Sequence, residues 1–303
     1  MSGETVGSIK LLWWNTSLSP PRFGSRSKDK NLQFVVEQLK IARDLFGWDV
    51  VGLAEVNDDD VLAIIDQLRD PFLSSVEMPT RTRTTVNDIA IIYDRQKLSV
   101  IEHQPLDDQT ELGTFKTGQM VTFEESETNQ QLHVVAAHWP SRRTFSEFDP
   151  RRYQLGMTLR MKLGKVFESQ TPHVVLMGDF NDDPCSPSLA QNLMATRDRT
   201  FAKSKSTFFY NPFWRKLGES EHHESGDEGV CGTHFYRSGT GSRWFTYDQI
   251  MYSSAFLTSK TIAMDEKGSN ILKLPGIAAA ITDRNSIFDH YPVSGKILLR
   301  IAS

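Results

Sequence analysis

Cysteine is almost missing from this chain: Cys185 and Cys231 are the only two in 303 residues. Two thiols cannot staple a fold of this size, and no Cys-x-x-Cys or Cys/His spacing marks a zinc site. Both are expected to be ordinary small buried residues in a reducing compartment. Residues 1–9 lack the basic start and apolar run of a secretory signal, and no segment approaches ~18 consecutive apolar residues. The expectation is a cytoplasmic protein with no membrane span. Excess positive charge is lacking too: 34 Lys and Arg face 38 Asp and Glu, a net charge of −4. That excludes a strongly basic nucleic-acid coat but permits a locally basic cleft. With 39% apolar and 24% charged residues, the signature of disorder is also absent. Neither a repeat nor a linker divides the chain, so one domain over 1–303 is expected.

What the chain does have is a series of short apolar runs of strand length. Ile9–Trp14 stops at Asn15, and a Pro/Ser/Arg-rich loop follows to Lys30. From Leu32 to Phe46, apolar residues recur every three or four positions, the mark of an amphipathic helix that Gly47 closes. Asp49–Ala54 reads as a strand delivering Glu55, and Val61–Leu68 as a second helix. Ile89–Tyr93, Leu98–Ile101 and Leu132–Ala137 read as strands. A helix is expected from Pro150 to about Phe167, a strand over His173–Met177 and a short helix over Pro187–Met194. Phe245–Tyr252 and Tyr291–Leu299 are the last strands. Residues 195–243 show no periodicity. Yet 11 of the 47 residues from 201 to 247 are aromatic, which speaks for an ordered excursion rather than a linker. Its Phe208–Trp214 and Phe235-Tyr236 stretches either stack bases at a cleft mouth or pack a small core.

Several strands finish in a side chain suited to a metal or a phosphate. These are Asn15, Glu55, His138, Asp179 with Asn181, Asp248, and Asp289-His290. Singly, each has an ordinary reading: a helix cap, an Asx-turn, an interior histidine or a loop pair. Together they form a set, and strand ends hold side chains with the tolerance catalysis needs.

Trp14-Asn15, Glu55, His138-Trp139, Gly178-Asp179-Phe180-Asn181, Asp248-Gln249 and Asp289-His290-Tyr291-Pro292-Val293 resemble, in order, the motifs of the endonuclease/exonuclease/phosphatase superfamily. They span residues 14 to 293. The resemblance implies an α/β fold of four layers: two mostly antiparallel sheets packed face to face, helices outside, and the site at one edge, as in DNase I-like enzymes.

It also implies phosphoester hydrolysis, which needs a hard cation, a base near water and positive charge near the leaving oxygen. Glu55 and the Asn15 carbonyl are expected to hold Mg²⁺, for which Mn²⁺ substitutes, with Asp289 completing the shell directly or through water. His290 is the candidate base with Asp248 as its orienting carboxylate, and Asp179 is its rival. Asn181 is a phosphate donor, and His138 a general acid or phosphate donor. Asn87, Arg142 and Arg143 are candidate contacts to substrate phosphate. The expected function is a nuclease that cuts DNA or RNA. The alternatives are a phosphatase or phosphodiesterase for a small molecule or phospholipid headgroup, and a relative that binds without cleaving.

Overall fold

The computed structural model describes residues 4–18, 28–76, 81–82, 85–86, 88–110, 113–218 and 232–301. Among the described residues, nine strands have five or more residues: β1 Thr5–Asn15, β2 Val50–Ala54, β3 Ile89–Asp94, β4 Leu98–Pro105, β5 Gln119–Glu125, β6 Gln131–His138, β7 Val174–Asp179, β8 Asp248–Ser253 and β9 Val293–Arg300. One sheet runs Ile262–Met264, β9, β1, β2, β3, Leu73–Ser75, and Asn270–Ile271 also pairs with β9. The other runs Ala195–Thr196, Phe209–Tyr210, β8, β7, β6, β5, β4. Pairing is parallel between β1 and β2, β6 and β7, and the two short edge strands, and antiparallel elsewhere in these sheets.

The strands are apolar on both faces because both faces are covered. Period-two alternation sends Leu11 and Trp13 of β1 into a core shared with Val134, Val175 and Ile250 of the other sheet. Leu12 and Trp14 point the other way, onto helices α1 (Asp29–Leu45) and α2 (Asp58–Leu68) through Leu32, Val35, Leu39 and Ile64. Helix α3 (Pro150–Lys162) covers the second sheet, with Leu155 and Leu159 against Val135 and Leu176. The expected four layers are therefore present. Close approach of the sheets requires Gly52, where a Cβ would meet Trp13 at 2.7 Å and Met177 at 2.9 Å.

Local chemistry sets the helix ends. Gly47, at φ 75°, turns the chain out of α1 with its N–H on the Ala42 carbonyl. Asn57 and Asp60 close a capping box on α2, and Pro150 opens α3 behind the Asp149 cap. No described helix is long and apolar enough to cross a membrane.

Some expectations change. The helix from Pro150 stops at Lys162 and resumes as the short Gly164–Phe167. Pro187–Met194 holds only one wide turn, Ser188–Asn192. The strand expected from Phe245 splits: Trp244–Phe245 pairs with His234–Phe235 in a separate hairpin, and β8 begins at Asp248. Cys185 is exposed rather than buried, because it sits on the outside of a turn closed by Ser186 N–H on the Asp183 carbonyl. Cys231 lies outside the described residues. In the aromatic excursion, Phe209, Tyr210 and Phe213 are buried in the cores, which is the packing alternative.

Half-buried His173 packs edge-on against Phe256, and desolvation, with His133 nearby, pushes its pKa down to about 4. The unfolded chain titrates near 6.5, so it binds more protons than the native state between pH 6.5 and 4. Stability is therefore expected to fall by ~3 kcal/mol through this group between pH 7 and 4. Urea unfolding should give a flatter pH dependence for His173→Phe than for the wild type; identical slopes would refute the assignment.

Candidate active site

Strand register brings the chemistry to one edge. Asn15 pairs with Ala54, the residue before Glu55; His138 pairs with Asp179, and Asp179 with Asp248. Asp289-His290 precedes β9, whose Val293 lies opposite Trp13. The side chains line a cavity of about 450 Å³ with Ser141, Arg142, Arg143, Asn181, His234, Tyr236, Phe245 and Tyr247. Asp248 is buried behind it, at the far side of His290. Ser17, Glu55 and Asn181 hold left-handed backbone at φ 51°, 59° and 51°. Non-glycine residues adopt that conformation at a cost of ~1–2 kcal/mol, so the surrounding structure over-determines them here.

Asp179 stands at the centre. Its Oδ2 accepts from Asn15 Nδ2 at 3.0 Å and lies 3.7 Å from His290 Nε2 and 4.0 Å from His138 Nε2. Its Oδ1 accepts the Asn181 backbone N–H at 2.8 Å. Burial opposes its charge, yet the two imidazoles and Asn15 hold the carboxyl below the usual range. The same Asn15 amide reaches Glu55 Oε1 at 3.2 Å, while Asn15 Oδ1 accepts the Ser17 N–H at 3.0 Å. Asn15 thus clamps two carboxylates together.

Two histidine–carboxylate pairs face each other across Asp179. His290 Nδ1 lies 2.7 Å from Asp248 Oδ2, and Trp13 Nε1 donates to the other Asp248 oxygen at 3.0 Å. His138 Nδ1 lies 2.7 Å from Asp88 Oδ2. Burial pushes both imidazoles down, but Asp248 and Asp179 carry His290, and Asp88 carries His138, up to about 10. The carboxylates thus favour the protonated form of both rings. Burial pushes Glu55 up despite them. Asp289 is held well below the carboxylate range, against burial, by His234, His290 and the Ser17 hydroxyl, which donates to it at 2.6 Å.

The donor set fits a divalent cation. Glu55, Asp179 and Asp289 bring hard carboxylate oxygens to one cavity, with Asn15 between the first two. Two further groupings, His234/Asp289/His290 and Asp179/Asp248/His290, have ligand atoms within 4.8 Å of one another.

The arginines separate into two kinds. Arg142 and Arg143 line the cavity, and Arg142 spans 5.1 Å over the Tyr247 ring while its Nε donates to the Asn181 carbonyl. Arg152, from the same basic stretch, is fully buried on Asp182 and does not reach the cavity. The Asn181 side-chain amide donates to the Trp139 carbonyl at 3.0 Å. Asn87 lies outside the described residues, and its neighbour Asp88 supports His138. Sequence reasoning also passed over Ser17, His234, Phe245 and Tyr247. His234 stacks on Tyr247 at 5.1 Å and bridges to the backbone of His290.

The sequence model of the Endonuclease/Exonuclease/phosphatase family matches residues 22–273. A sequence search of curated proteins returns no match. Among solved structures, the human Nocturnin catalytic domain is similar at 15% identity with a TM-score of 0.62, over 96% of this chain and 94% of that one. D. rerio TDP2, complexed with a single-stranded DNA product, is similar at 15% identity and a TM-score of 0.60, over 96% and 99%. A mannosyl-6-phosphatase of Bacteroides thetaiotaomicron is similar at 13% and 0.60, over 95% and 99%. At these identities the likeness is one of fold.

Proposed function

Because this chain belongs to the endonuclease/exonuclease/phosphatase family, whose members are phosphoester hydrolases, we propose that it is a Mg²⁺-dependent nuclease cutting DNA or RNA by water attack. The observation that carries the reading is the placement of Asp179, whose Oδ2 lies 3.7 Å from His290 Nε2 and 4.0 Å from His138 Nε2 in an open cavity bordered by Arg142 and Arg143. A bound Mg²⁺, with Mn²⁺ substituting, supplies charge on the phosphate oxygens and a polarised water. Glu55 and Asp289 would hold it, with Asn15 fixing Glu55 against Asp179.

The chain's own groups do the remaining work. Asp179 takes the proton of the attacking water. His290, kept protonated by Asp248, donates from Nε2 to a phosphoryl oxygen. His138, kept protonated by Asp88, delivers a proton to the leaving alkoxide. Arg142 and Arg143 face the phosphates beside the one cleaved. Tyr236, Phe245 and Tyr247 offer ring surface to a sugar or base.

The cavity volume also suits a single small phosphoester. A panel therefore tests the reading: single- and double-stranded DNA, RNA, sugar phosphates, inositol phosphates and sphingomyelin, each with Mn²⁺ or Mg²⁺. Polymer cleavage that EDTA abolishes and either ion restores is expected. Phosphate release from a small ester alone would overturn the nuclease assignment.

A further inference from the structure

The sheet that carries β8 has, away from the cavity, a basic edge that the proposed chemistry does not use. Six of the seven charged side chains between 197 and 216 are Lys or Arg, in a chain of net charge −4. The segment follows the outermost strand Ala195–Thr196 and carries Phe209–Tyr210, which stands between it and β8 in their sheet. Phe209 and Tyr210 pair with Ser253 and Tyr252, four to five residues along β8 from Asp248, so at ~3.3 Å per residue and ~4.8 Å per strand the edge lies roughly 15–20 Å from Asp248. No residue of the segment lines the cavity.

Charge and rings are interleaved there. The Arg197 guanidinium lies 5.1 Å over Trp214, and that of Arg199 lies 5.6 Å over Tyr210. Phe201 is 49% exposed, edge-on to Phe208 at 5.0 Å. Glu266 offsets part of the charge, since Arg199 and Arg215 contact it at 3.1 and 2.8 Å. Arg197, Lys203 and Lys205 are exposed, with no ion pair among the described residues.

We propose that this edge is a second contact surface for single-stranded nucleic acid, gripping substrate beyond the scissile phosphate; its purpose rests on the nuclease reading, but its binding does not. Cations that neutralise phosphates, next to rings that stack bases, are the requirements of sequence-tolerant single-strand binding. The two-residue edge strands are too short to template a partner's strand. The helix Arg199–Lys203 is too short to lie amphipathically on a membrane.

The test is fluorescence anisotropy of a labelled 24-nucleotide oligo(dT) or oligo(U) in EDTA, at 50 and 200 mM NaCl. The triple variant Arg197→Glu/Lys203→Glu/Lys205→Glu should bind at least tenfold more weakly. Its salt slope should be shallower by about two, as loss of three phosphate contacts requires. Phe201→Ala should weaken binding a few-fold with the slope unchanged, and hydrolysis of bis(p-nitrophenyl) phosphate should be unaltered in both variants. Wild-type binding by the triple variant, no binding by either protein, or capture of the wild type by phosphatidylserine vesicles but not by oligonucleotide would each overturn the proposal. If oligonucleotides bind at this edge yet are never cut, the nuclease reading fails while the surface stands.

Discussion

Asp179→Ala is expected to lower kcat at least ~10²-fold, about 2.7 kcal/mol of barrier, with the protein still folded. Asp179 is the carboxylate that lies against Asn15, His290, His138 and the Asn181 backbone. Without it, no ionised oxygen stands between the two imidazolium rings to take a proton from water. Asp179→Asn is the sharper variant, because the amide oxygen can still accept the Asn181 N–H while the charge is gone. Both substitutions should reduce kcat and kcat/KM together, the pattern of a group used in the transition state. Thermal unfolding by circular dichroism checks that the fold survives. Turnover near wild type in folded Asp179→Asn would remove the centre of the mechanism.

How much of this was legible in the sequence depended on the range of the interaction. Helix α1 announced itself because its 3.6-residue period is local, and β1 and β2 because apolar runs ended abruptly at Asn15 and Glu55. Asn15, His138 and Asp179 were legible because each ends an apolar strand, whereas Asp248 opens β8 and His290 precedes β9, so those two were legible as residue types only. Strand β5 was missed because Gln119–Glu125 carries its polar residues at both ends and shows no clean alternation. Asp88 gave no local signal of a role at the site. Only the 50-residue reach from Asp88 to His138 makes Asp88 the partner. His234 and Tyr247 gave no signal at all. Their place comes from a hairpin folded onto His290, a pairing that no periodicity encodes.

Arg152 shows the same limit and yields the largest expected loss of stability. In the sequence it stands close after Arg142 and Arg143 and looks no different from them; in the fold it is fully buried. Its Nε donates to Asp182 Oδ2 at 2.8 Å, Nη1 to the carbonyls of Pro140 and Phe145, and Nη2 to those of Phe180 and Asn181. One guanidinium thus ties the loop after His138 to the loop after Asp179. Arg152→Met would leave the buried Asp182 carboxylate with only Ser188 and Arg142 as partners and strip the Pro140, Phe145 and Phe180 carbonyls of their donor, a loss of ~3–5 kcal/mol. Arg152→Lys should recover little, because a single ammonium cannot reach all five acceptors from one stem. Adding Asp182→Leu to Arg152→Met removes the under-compensated charge. The double variant should therefore be less destabilised than the two single effects added together. Urea unfolding of the four proteins measures this directly, and a change under ~1 kcal/mol for Arg152→Met would mean that the loops hold without the clasp. Where the Arg152→Met protein does fold, kcat should fall as well, since Arg142 hangs from the Asn181 carbonyl that Arg152 holds in place.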